Sequence, residues 1–165
     1  MTGLDRKILS ALQADGRASN QDIADTTGSS ASSVWRRIRS MEQAGVISGL
    51  HLSLSAEALG LSETVLVYVS LNSHSEKNTK AFTRLITNTP EVMECYAVTG
   101  DHDYQLKVLA PDMRAFYRFL EDTFMSKDYI AKTSSTVVMN IIKETPSVPA
   151  DIIPCLLYTS DAADE

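Results

Sequence analysis

The sequence predicts an α+β protein with two parts, an N-terminal winged helix-turn-helix and a ferredoxin-like βαββαβ domain. Three observations predict it. Residues 1–44 carry three short helical periodicities, each preceded by a serine or threonine that can cap it. Residues 64–143 alternate β-branched runs with amphipathic runs in the order strand, helix, strand, strand, helix, strand. Between them Ser55–Gly60 reads as a helical turn closing the first part, with Gly60 to Glu63 as hinge. The domain limits expected are 1–54, a linker at 55–63, 64–143, and a tail from 144.

Thr2-Gly3-Leu4-Asp5 and Ser19-Asn20-Gln21-Asp22 both have capping-box spacing, with aspartate in place of glutamate. The first helix offers Leu4, Ile8 and Leu12 inward and ends before Asp15-Gly16; the second is brief, with Ile23 and Ala24 inward. The third dominates. Ser30 is its expected N-cap, and at 100° per residue Ala31, Val34, Ile38 and Met41 fall on one stripe while Ser32, Arg36, Arg39 and Gln43 point away. Gly45 is the expected left-handed stop. Val46 to Leu54 then reads as extended chain, the wing or exit strand, with His51 a surface residue. The link Ala24 to Ser30 contains a glycine, as a helix-turn-helix turn does. Such a unit seats the front of its second helix in a major groove, where arginine pairs with guanine edges or phosphates and serine with phosphates.

In the second part, Val65–Leu71 is a β-branched run of the kind covered on both faces. Ser75 to Asn88 is helical with Phe82, Leu85 and Ile86 on one face, stopping before Pro90. Val92–Val98 and Tyr104–Leu109 are strands around the turn Gly100-Asp101-His102-Asp103. Asp112 caps a helix carrying Met113, Phe116, Tyr117, Leu120 and Phe124, and Ile130–Ile142 is a long final strand. This order leaves one sheet face uncovered by helices, which implies another subunit on it.

Composition narrows the function. No apolar run reaches the ~20 residues of a membrane span. The N-terminus MTGLDRKIL lacks signal-peptide character, and Cys95 and Cys155 form no paired spacing, so a reducing cytoplasm is expected. The net charge of −6 divides unevenly: residues 1–54 hold six cations and five anions, leaving −7 on the rest. Three of those six cations sit on the third helix, and phosphate attraction is local. So weak a basic balance favours a homodimer or larger assembly presenting several such helices to double-stranded DNA. The nucleotide, zinc and hydrolase motifs GxxxxGK[ST], HExxH, GxSxG and CxxC are missing, so no catalytic residues, metal ligands or cofactor are assigned. The alternative is a ferredoxin-like metabolite-sensing module or enzyme whose N-terminal helices bind protein.

DRKILSALQADGRAS, SVWRRIRSMEQAGVISG, PEVMECYAVTGDHDYQLKV and TSSTVVMNIIK, spread from residue 5 to about 143, resemble the Lrp/AsnC (leucine-responsive, feast/famine) family. The resemblance implies a transcription regulator whose RAM-type C-terminal domain binds a small effector, commonly an amino acid, and assembles into dimers and larger rings. Carried onto this chain, Ser32, Ser33, Arg36, Arg37 and Arg39 match the DNA-facing positions. Ser29 stands where the family has leucine, and Ala31 and Ser33 where proline is frequent, implying a looser turn and a different sequence preference.

Gly100, Asp101, His102, Asp103 and Tyr104 match the family's effector loop, and Thr133 and Ser135 match positions that line the same pocket. Gly100 allows positive φ, and the two aspartates could orient an ammonium group while backbone amides hold a carboxylate. Read from spacing alone, the same aspartates could simply stabilise a hairpin turn, and adjacent residues in a tight turn are poorly placed to share a metal ion. Beyond Lys143 the composition changes: residues 144–154 hold three of the five prolines. Residues 155–165, CLLYTSDAADE, resemble translated library-adapter sequence and are read as non-native, against the alternative of a flexible acidic tail.

Overall fold

The computed structural model describes residues 1–149. Two compact units emerge, Met1–Leu52 joined by the described residues from Glu144 onward, and Ser53–Lys143.

The first unit is built from α1 (Gly3–Ala14), α2 (Asn20–Thr27) and α3 (Ala31–Gln43). Both capping boxes form: the Thr2 amide donates to the Asp5 carboxylate at 2.6 Å, and the Ser19 amide to Asp22 at 2.9 Å. Each box satisfies first-turn groups that a helix cannot pair internally. Ile8, Ile23, Ala24, Val34 and Met41 are buried together, with Leu4, Leu12, Ala31 and Ile38 packed around them. Gly28 turns the chain from α2 to α3 at φ 69°, and Gly45 ends the third helix at φ 71°. Despite Ser29 in place of leucine, the turn closes, with the Ser29 amide donating to the Ala24 carbonyl at 3.0 Å.

Two expectations for this unit fail. Residues 46–54 form no strand; Leu50, Leu52 and Leu54 are exposed. A strand needs a neighbouring edge to complete its ladder, and no described residue pairs with this stretch. Nor do residues 144–149 stand apart as a tail. The Gln13 side-chain amide clamps Val148, accepting from its N–H at 2.7 Å and donating to its carbonyl at 3.0 Å. The adapter-like residues 155–165 lie outside the described residues.

The second unit opens with a helical turn at Glu57–Leu59 closed by Gly60. It continues through β1 (Glu63–Leu71), α4 (Glu76–Thr87), β2 (Val92–Ala97), β3 (Tyr104–Ala110), α5 (Met113–Leu120) and β4 (Ile130–Val137). The antiparallel sheet runs β2-β3-β1-β4, the ferredoxin-like order. Val65, Val67, Val69, Leu71, Leu106 and Val108 pack with Phe82, Phe116, Phe119 and Phe124 of the helical layer. Among the described residues the central strand is therefore not covered on both faces: Thr64, Leu66, Tyr68 and Ser70 alternate with the buried set and stay half-exposed.

β4 is shorter than the apolar run suggested. Val137 pairs with Val65 and the Val138 amide reaches Thr64, so β1 runs out of partners before Ile142. The fifth helix instead runs on, as a π-helical turn over Glu121–Met125 that sets Phe124 edge-on to Phe119 at 5.5 Å.

Candidate nucleic-acid interface and effector loop

Ser30 caps α3, accepting from the Ser33 amide at 3.2 Å, and its hydroxyl lies 3.2 Å from that of Ser32. Ser32 and Arg36 are exposed on the side opposite Val34 and Met41, whereas Ser33 is half-buried. Among the described residues no carboxylate forms an ion pair with Arg36, which leaves its five donors available to an external acceptor.

Arg37 behaves differently from the expectation that it faces DNA. Lying about 100° further round the helix than Arg36, it turns back to α1, with Nη1 2.7 Å from Asp5 Oδ1 and 3.0 Å from the Thr2 hydroxyl. Burial pushes the Asp5 carboxyl up, but the Thr2 amide, the Arg37 guanidinium and the Thr2 hydroxyl outweigh it and hold it below the ordinary aspartate range. Arg37 is thus a strut between the first and third helices.

Arg39 remains on the solvent side, 3.3 Å from Glu42 and with its guanidinium 5.8 Å from the Trp35 ring centre. Trp35 escaped the sequence reading. Its only signal was being the chain's one tryptophan, four residues before an arginine on the same helix flank.

The loop between β2 and β3 is held to the end of β1. Asp103 Oδ2 accepts from the Leu71 amide at 2.7 Å, the Asp103 amide donates to the Val69 carbonyl at 3.0 Å, and Oδ1 lies 3.4 Å from His74 Nε2. Gly100 adopts φ 119°, Asp101 is exposed, and His102 Nδ1 lies 3.3 Å from the Ser70 hydroxyl. The His102 ring is also 5.4 Å from that of Tyr68. The Tyr104 ring lies tilted against that of Phe82, 4.3 Å between centres, half-buried against the core.

Thr133 and Ser135 do not join this group within one chain. They pair with Val69 and Val67, and so share the helix-covered face, while His102 meets Ser70 and Tyr68 of the open face. Asp103→Ala is expected to cost the sheet unit about 1–3 kcal/mol by stripping the Leu71 amide of its acceptor. Urea denaturation checks this, and an unchanged midpoint would show that the loop is anchored elsewhere.

Compared with known proteins, residues 1–48 match a winged helix-turn-helix DNA-binding family model and residues 64–148 the Lrp/AsnC ligand binding domain. The Bacillus subtilis transcriptional regulator AzlB is 33% identical over 147 residues, covering 89% of this chain and 94% of its own length. The Escherichia coli leucine-responsive regulatory protein is 34% identical over 142 residues, covering 86% and 87%. A Neisseria meningitidis transcriptional regulator solved as its L-Met complex superposes with a TM-score of 0.88 at 32% identity, covering 92% and 97%. An AsnC family regulator from Agrobacterium tumefaciens gives 0.87 at 37% identity, covering 92% and 98%. With both parts matched by family models and relatives aligned over most of their length, the chain belongs to the Lrp/AsnC family of transcriptional regulators.

Proposed function

We propose that this regulator binds specific duplex sequences through Ser32, Arg36 and Arg39 of α3, answers to an amino-acid effector at the β2–β3 loop, and works as a cytoplasmic homodimer or larger oligomer. The observation that carries the reading is the exposed Ser32–Arg36 face at the front of a capped helix, entered through the left-handed Gly28 turn. Cationic donors presented at a helix front suit phosphates and guanine edges. The amino-acid effector is supported by the L-Met complex of the Neisseria meningitidis relative. Assembly is supported by the sheet face lined with Leu66, Tyr68 and Leu109, which no helix of the unit covers. Arg37 and Asp103 take internal roles in this account and leave the recognition set.

The test is random-pool duplex selection with the purified full chain, repeated with each amino acid, with oligomeric mass measured alongside. A recovered motif whose enrichment changes with one amino acid, on an assembly larger than one subunit, is the expected result. Arg36→Ala is expected to weaken binding to that motif by about 1–3 kcal/mol, with the oligomer intact. Unaltered binding would remove Arg36 from the site.

A further inference from the structure

Trp35, Arg39 and Glu42 form a small cluster on the flank of α3 beside the Ser32–Arg36 face. The Arg39 guanidinium sits between a ring at 5.8 Å and a carboxylate at 3.3 Å. All three side chains are in solvent, Trp35 with 54% of its surface exposed. The unit's core is complete without that ring, being made of Ile8, Ile23, Ala24, Val34 and Met41. An exposed tryptophan under an arginine holds the guanidinium plane in one place, because the cation is drawn to the ring face. An exposed carboxylate at ion-pair distance competes for the same cation only weakly in water. Against a polyanion the balance changes: once a phosphate takes Arg39, the displaced carboxylate is left in the negative potential of the duplex.

We propose, on the reading that α3 binds duplex DNA, that Arg39 is a phosphate contact, that Trp35 is its positioning residue, and that Glu42 holds the affinity down by competing for it. Affinity is then set on the protein by one carboxylate that touches neither the core nor the base-reading face.

The experiment measures duplex affinity of the full chain against salt for the wild type, Glu42→Gln, Arg39→Ala, Trp35→Ala, Trp35→Phe and the Arg39→Ala/Glu42→Gln double variant. Far-UV circular dichroism confirms that each is folded. Glu42→Gln is expected to tighten binding about two- to fivefold, the reach of one exposed ion pair, and to steepen the log–log salt slope by up to about 0.9. Arg39→Ala should flatten that slope and abolish most of the Glu42→Gln gain. Trp35→Ala should weaken binding about two- to fivefold, with most of the loss recovered by the phenyl ring of Trp35→Phe. An unchanged affinity in Glu42→Gln, or the full gain persisting without Arg39, would overturn the inference. A Trp35→Ala loss that Trp35→Phe does not recover would overturn the positioning role. Salt-dependent binding by the wild type with an unresponsive Glu42→Gln defeats this inference alone; a wild type that ignores duplex defeats the proposed function itself.

Discussion

Phe82→Ala is expected to destabilise the sheet unit by about 3–5 kcal/mol, the cost of deleting a fully buried aromatic from a core that can only partly collapse. Phe82 is 1% exposed, lies tilted against Tyr104 with 4.3 Å between ring centres, and is the buried α4 side chain in the cluster that includes Val65, Val67 and Val69. Removing it leaves a void beneath the central strand and deprives Tyr104, the first residue of β3, of its packing partner. The two cores share no residue, so the effect should stay in its own unit. The single tryptophan, Trp35, lies on α3 and its fluorescence therefore follows the N-terminal unit alone. In urea, the far-UV signal of the sheet unit should shift to lower denaturant while the tryptophan transition stays put. A joint shift would mean that the units unfold as one.

Asp5→Ala is expected to do the reverse, lowering the tryptophan transition by about 2.5–4 kcal/mol and sparing the sheet. The figure combines a lost cap, about 1 kcal/mol, with a lost charged hydrogen bond of about 1.5–3 kcal/mol. Asp5 serves both at once. Its carboxylate accepts from the Thr2 amide and hydroxyl at the start of α1, and holds Arg37 of α3 at 2.7 Å. The same group predicts a pH dependence. Because the folded-state pKa is depressed below 3.8, the stabilisation is fully present above that value and is lost as pH falls through the lower folded value. The gap between wild type and Asp5→Ala should accordingly narrow below about pH 4, and a constant gap into acid would exclude the charged interaction as its source.

The two effects illustrate what could be read in advance. Capping boxes at Thr2 and Ser19, the Ser30 cap, the glycine turn at Gly28 and the Gly45 stop were legible because each depends on residues within four positions of one another. The strand and helix order was legible for the same reason, as periods of two and 3.6 are local patterns. Arg37 was not. Its partner Asp5 lies 32 residues away, and only the family resemblance had grouped Arg37 with its neighbour Arg36. The end of β4 at Val137 likewise depends on where β1 begins, and the missing wing strand on the lack of a neighbouring edge. Thr133 and Ser135 were grouped with the β2–β3 loop by resemblance, but register sends them to the other sheet face. Trp35 needed the position of Arg39 over its ring to become informative.

On the function proposed above, a nearly neutral N-terminal unit binds duplex DNA through the few cations that one helix presents to solvent. The dependence of this chain's duplex affinity on salt tests that directly. Neutralising several phosphates should give a straight log–log decline with a slope near −0.9 for each one. A flat response, with affinity equal at low and moderate salt, would contradict it.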